Sequence, residues 1–307
     1  MNTRVLGTFL VVIGLTALAS DVVEGHKRHR GGVSVSIDSD DVTSCADLKV
    51  TFHGLLTARA EEERVLPGAS VSRLEVRPHK NGGAYIRGWD RSDYSITACK
   101  AAGDEDESSA ERQLADVRLV VNGNRVSLVG PSDGDWVGYL LIRAPQNASL
   151  DAETMNGPLT LRDIAGKADL RATNGPISLE NARGEVRADV TNGPVNIEGS
   201  AGRLNVNAQN GPLNVCLKGE RWDGTLEAHT QNGPINLEVP EGYQSGVRVD
   251  ASRHSPVECD APQCRQAVRT WENPNRIEFG GASPVIRIST VNGPVSIGGG
   301  KTKRKEL

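Results

Sequence analysis

The sequence predicts an all-β protein whose C-terminal half is a parallel β-solenoid of about 18-residue coils, preceded by short strands and hairpins. Three observations predict it. Asn-Gly-Pro recurs at Asn156, Asn174, Asn192, Asn210, Asn232 and Asn292, at spacings of 18, 18, 18, 22 and 60 residues. Apolar residues hold fixed places around each asparagine. The 307-residue chain is also rich in turn formers, with 34 glycines and 15 prolines, and its aromatics are only 4%, which suits many short strands and few long helices.

Taken in order, residues 1–20 have the layout of a signal peptide: Arg4, an apolar stretch over 5–15, then Ala17-Leu18-Ala19-Ser20, with cleavage expected after Ala19 or Ser20. The apolar stretch is shorter than the roughly 20 residues that span a bilayer, and no second one of spanning length follows. The expected location is therefore the periplasm, the outer surface or the medium, with no transmembrane segment after signal removal. Residues 21–32, with His26-Lys27-Arg28-His29-Arg30, read as a polar linker, and 33–145 as an N-terminal β region leading into the solenoid. Within that region 74–77, 84–87 and 94–97 alternate apolar and polar, as half-buried strands do. Runs 117–121 and 125–129 flank Asn122-Gly123-Asn124, a hairpin signal. The acidic run 103–109 reads as a solvated loop, because a calcium site needs oxygen ligands at spaced positions with a turn glycine among them and this run lacks that order.

Residues 146–300 form the expected solenoid. Six residues before each asparagine stand Leu150, Ala168, Val186, Leu204, Leu226 and Ile286, and four before stand Ala152, Leu170, Ala188, Val206, Ala228 and Ile288. Three after come Leu159, Ile177, Val195, Leu213, Ile235 and Val295, and five after come Leu161, Leu179, Ile197, Val215, Leu237 and Ile297. Polar residues fill the places between, so each repeat holds two alternating strands and a turn. Glycine admits unusual backbone angles and proline withholds a donor, so ladder pairing pauses there. Alternation points the asparagines inward, where stacked coils would make them a hydrogen-bonded ladder. The 60-residue gap is expected to hold degenerate coils at His254-Ser255-Pro256-Val257 and Ala282-Ser283-Pro284-Val285, with an insertion at about 259–275. Residues 301–307 form a basic tail.

The five cysteines suit an oxidising compartment, and an odd number leaves at least one unpaired. Cys259 with Cys264, and Cys45 with Cys99, are the candidate pairs. Neither Cys-x-x-Cys nor His-x-x-x-His spacing occurs, so neither metal nor other cofactor is expected. With 35 basic and 39 acidic side chains the formal charge is −4, which argues against nucleic acid as a partner.

Catalytic motifs fail on context. Gly130-Pro131-Ser132-Asp133-Gly134 matches a nucleophile elbow, but a strand-like run follows where a helix is needed. Residues 297–302 resemble a phosphate loop without its first glycine. Outward columns offer Glu180 and Glu198 one coil apart, and Glu153, Arg171 and Asp189 in another, which is the usual mixed charge of a solvated face. The column four after each asparagine, Thr160, Ser178, Asn196, Asn214, Asn236 and Ser296, is a candidate binding stripe of small polar groups.

The Asn-Gly-Pro repeats, the Gly-x-apolar-x-apolar strands before them and Ile86-Arg87-Gly88-Trp89-Asp90-Arg91 resemble the bacterial putative-adhesin domain of unknown function, a β-strand-repeat family, over about residues 70 to 300. The resemblance implies an exported, repetitive β domain, and some relatives are associated with envelope-stress signalling. The function expected is that of a non-catalytic cell-envelope protein, an adhesin-like binding or scaffolding module for an envelope protein or polysaccharide. The alternatives are a sensor or accessory component of envelope-stress signalling and a polysaccharide-active β-helix enzyme.

Overall fold

Each Asn-Gly-Pro repeat folds as two short strands meeting at a corner. In the repeat that holds Asn174, strand Lys167–Asn174 belongs to a 12-stranded sheet and strand Ile177–Glu180 to an 11-stranded one. The computed structural model describes residues 32–37, 42–271, 274–281 and 283–299. The expected signal peptide (1–20), all of the polar linker except Gly32, and the basic tail (301–307) lie outside them.

Repeats stack in parallel and in register. Leu170, Ala188, Val206, Ala228 and Ile288 lie side by side in one sheet, and Ile177, Val195, Leu213, Ile235 and Val295 in the other. Their side chains meet in one core between the sheets. A further column, two residues before each asparagine, is buried as well: Thr154, Ala172, Val190, Ala208, Thr230 and Thr290. Thr230 and Thr290 satisfy their hydroxyls there by donating to the carbonyls of Gly211 and Gly233, each at 2.9 Å.

The asparagines do form a ladder, but it lies outside. Asn174, Asn192, Asn210, Asn232 and Asn292 each donate a side-chain N–H to the amide oxygen of the asparagine in the neighbouring coil at 2.9–3.0 Å. All six repeat asparagines are exposed. Inward alternation stops at the residue two before, because the chain bends there towards the other sheet and resumes its inward phase only three residues after the asparagine.

The repeat also begins earlier than Asn156. Strands Leu74–Arg77 and Ala84–Trp89 pair in parallel with the first Asn-Gly-Pro coil, and Asn156 donates to Asn81 at 3.1 Å. Asn81-Gly82-Gly83 is thus another corner, without the proline. Beyond it both sheets become mixed, and among the described residues neither closes on itself. Strand Tyr94–Asp104 pairs antiparallel with both Leu56–Leu66 and Asp135–Pro145. Arg118–Asn122 and Arg125–Val129 form the antiparallel hairpin around Gly123, whose φ of 58° is left-handed.

The acidic run expected to be a loop is only in part a loop. Gly103 and Asp104 end a strand, and an α-helix, Glu107–Ala115, starts three residues later. Asp106 caps it by accepting the Ser109 amide at 2.8 Å, and three hydrogen bonds from Ser108 and Ser109 hold its carboxyl down at about 2. Ala110 and Leu114 are buried four residues apart, packing the helix against Leu56–Leu66 and Tyr94–Asp104 where the 12-stranded sheet has already ended. The helix closes that end of the core.

At the other end, space and sequence run in different orders. Asn292 lies directly beside Asn232, so no degenerate coil separates the last two repeats. Strand Pro284–Asn292 lies between Asp223–Asn232 and Gly246–Ala251, and Val295–Gly299 lies between Ile235–Val239 and Val257–Cys259. The segment around Pro256 forms the outermost coil, with the Pro256 carbonyl accepting the Val295 amide at 2.9 Å. Pro284 opens a strand and does not form a corner. Between Cys259 and Asn275 come a short 3-10 helix, Pro262–Gln266, and strand Val268–Thr270, which pairs antiparallel with Asn275–Phe279.

Candidate functional site

In strand Leu159–Arg162, alternation buries Leu159 and Leu161 and turns Thr160 and Arg162 outward. Parallel in-register pairing repeats that choice across the 11-stranded sheet and builds two outward rows. One runs Leu141, Tyr85, Thr160, Ser178, Asn196, Asn214, Asn236, Ser296. The other runs Arg143, Arg87, Arg162, Glu180, Glu198, Cys216, Glu238.

A wall rises beside these rows. Strands Val33–Ile37 and Leu48–Phe52 pair antiparallel, and Leu48, Val50 and Phe52 cover Ala101, Val137 and Tyr139 on the outer face of the same sheet as a second, smaller core. The Cys45–Cys99 disulfide ties this layer to the sheet. Amides of Thr43 and Ser44 each donate to Asp47 Oδ2 at 2.9 Å, which holds the Asp47 carboxyl below its ordinary range and orders the loop at the wall's edge. Wall and rows enclose a groove of about 950 Å³ that runs from Val42 and Thr43 to Ser178 and Asn196.

The groove is polar with two aromatic rings. Tyr85 lies on its floor, and burial, then the neighbouring Tyr139, pushes its hydroxyl well above the ordinary phenol range. That hydroxyl has no hydrogen-bond partner among the described residues. Trp89 donates to the Asp93 carbonyl at 2.8 Å and carries the Arg91 guanidinium 4.6 Å from its ring centroid. Arg91 in turn forks onto Asp93 at 2.6 and 3.0 Å. Arg162 bonds Glu180, and Arg87 lies 3.6 Å from Asp163. Arg143, exposed beside Arg87, has no acidic partner among the described residues.

Of the stripe read from the sequence, Thr160, Ser178 and Asn196 line the groove, whereas Asn214, Asn236 and Ser296 continue beyond it. The stripe is itself a ladder, in which Asn196 donates to Ser178 at 3.3 Å, Asn214 to Asn196 at 2.8 Å and Asn236 to Asn214 at 2.8 Å. The corner asparagines run as a separate line on the edge between the sheets. Cys259 is bonded to Cys264, and Cys216 is unpaired and half-buried, its thiol raised by burial and by the Glu238 carboxylate. Glu180 and Glu198 are neighbours, as are Arg171 and Asp189, while Asp151 gathers Arg73, Arg77 and Arg171. Among the described residues no three His, Cys, Asp or Glu side chains gather as a metal site would require.

The arginine row, Tyr85 and Trp89 are the groove residues that sequence reasoning did not single out as a site. Their signal was present: Arg87 and Arg162 each stand six residues after a corner asparagine, in the column where Glu180 and Glu198 were noticed.

No family model and no curated protein matches the chain. Solved structures similar to it include a putative cell adhesion protein from Clostridium sporogenes ATCC 15579, at 14% identity over 79% of this chain and 100% of that one, with a TM-score of 0.30. A putative adhesin from Bacteroides fragilis NCTC 9343 is 13% identical over 78% of this chain and 97% of its own, with a TM-score of 0.35. A putative lipid binding protein from Parabacteroides distasonis ATCC 8503 is 10% identical over the same shares, 78% and 97%, with a TM-score of 0.25.

Proposed function

We propose that this chain is an exported, non-catalytic binding module of the cell envelope, in which a parallel β-solenoid serves as a rigid frame and the groove on its outer face holds the ligand. The groove carries the reading: about 950 Å³ of space on a hydrogen-bonded sheet, furnished with tyrosine, tryptophan, guanidinium and small polar groups. Its carboxylates, Glu63 and Glu180, are engaged by Ser95 and Arg162, an arrangement that suits holding a ligand better than moving a proton. Two disulfides support export, since such bonds persist in oxidising compartments.

Ser178→Trp tests the reading, because Ser178 faces the groove between Thr160 and Asn196 and a bulky ring there fills the space. The folded wild-type protein is expected to co-sediment with washed envelope of its host, and the variant, matched in thermal stability, to lose about tenfold or more in affinity. Equal sedimentation of both proteins would overturn the groove as the binding face.

A further inference from the structure

We infer that the groove takes a linear polysaccharide bearing carboxylates, laid across the strands with its acid groups on the arginine row and its sugar rings and hydroxyls on the neighbouring Tyr85–Thr160 row, which runs on to Ser178 and Asn196. The inference rests on the groove being the binding face and goes on to the class of ligand.

Three observations carry it. The first is like charge held together. Arg143, Arg87 and Arg162 occupy successive strands at one register, so their Cα atoms are roughly 4.8 Å apart, an arrangement that weakens a sheet unless an anion answers it. Asp163 and Glu180 answer two of them, and Arg143 keeps its charge unmatched among the described residues.

The second is spacing. Both rows run perpendicular to the strands and repeat every strand, close to the rise per sugar of an extended glycan chain. An extended peptide places same-face side chains about 6.8 Å apart and would fall out of step within three rungs.

The third is the pairing of surfaces. Tyr85 presents a half-buried ring beside Thr160, its hydroxyl buried beneath, while Trp89 stands two residues beyond Arg87 on the same strand face. Flat rings that receive the C–H face of a sugar, next to amide and hydroxyl groups for its oxygens, are what a carbohydrate site requires. The guanidinium fork supplies the carboxylate contact. Glu180 and Glu198 extend the arginine row with the opposite charge, so the acidic stretch of the ligand is held over about three sugars.

The test is direct binding of the full chain to polygalacturonate, alginate and hyaluronate, with methyl-esterified polygalacturonate and poly-L-glutamate as controls. At least one of the three acidic glycans is expected to bind, and where it is polygalacturonate the ester binds about tenfold or more weakly. Arg143→Ala is expected to cut that affinity about tenfold, with Arg143→Lys falling between because lysine keeps the charge and lacks the fork. Thermal stability of the two variants, no lower than that of wild type, separates lost contact from lost fold. Equal binding of ester and acid would overturn the carboxylate, and equally tight poly-L-glutamate would overturn the glycan. Failure of all three glycans would overturn the ligand class. The groove itself then still stands or falls on Ser178→Trp and the envelope.

Discussion

A Cβ added to Gly193 would lie 2.3 Å from the carbonyl oxygen of Gly175 in the neighbouring coil, and one added to Gly211 would lie 2.1 Å from that of Gly193. Both distances are well inside contact, so stacking itself demands glycine at the corner. Asn192 next to it gives and receives one amide hydrogen bond along an exposed line. Exposed bonds exchange for water at small net cost, whereas a steric clash against backbone has no cheap release. Asn192→Ala is therefore expected to cost about 1 kcal/mol, with Asn192→Asp similar since its charge stays in water. Gly193→Ala is expected to cost about 2–3 kcal/mol. Urea midpoints decide the order, and an asparagine loss exceeding the glycine loss would place the ladder in the core after all. The recurrence of asparagine was legible from spacing alone. Its direction was not, because strand alternation says nothing about a side chain at a bend, and the buried column of Val190 and Thr230 is what marks where the inward phase ends.

Individual elements were legible where their pattern was regular. The strands at Leu74–Arg77 and Ala84–Trp89 and the hairpin around Gly123 follow from alternation and turn residues. Helix Glu107–Ala115 was hidden by its own charge, since the acids that read as loop include its cap, and its inward side chains are only Ala110 and Leu114. The last repeat departs from its sequence pattern for another reason: its order along the chain differs from its order in space. Strand Pro284–Asn292 ends only fifteen residues before the C-terminus yet has a parallel partner on each side. Its central amides, such as those of Ile286 and Ile288, are expected to exchange as slowly as those of Val186 and Ala188. Native-state hydrogen exchange read by mass spectrometry distinguishes this from a frayed end, in which the Pro284–Asn292 peptide would exchange orders of magnitude faster.

For the molecule as a whole, the groove is made by elements far apart in sequence. Its floor comes from repeat strands, its arginine row begins on Asp135–Pro145, and its wall comes from residues near Cys45 held by a disulfide to Cys99. Only the part inside the repeats, Thr160, Ser178 and Asn196, was readable as a periodic column. Tyr85 joins that column, and Arg143 the neighbouring arginine row, through strand pairings that no local pattern announces. Two tryptophans make binding through the groove measurable in one experiment. Trp89 lines the groove, while Trp271 is 63% exposed just beyond strand Val268–Thr270, at the edge of the other sheet. Hydroxyl-radical footprinting with and without host envelope is expected to protect Trp89 and Tyr85 and leave Trp271 oxidised as in the free protein. Protection of Trp271 with Trp89 and Tyr85 unchanged would contradict binding through the groove.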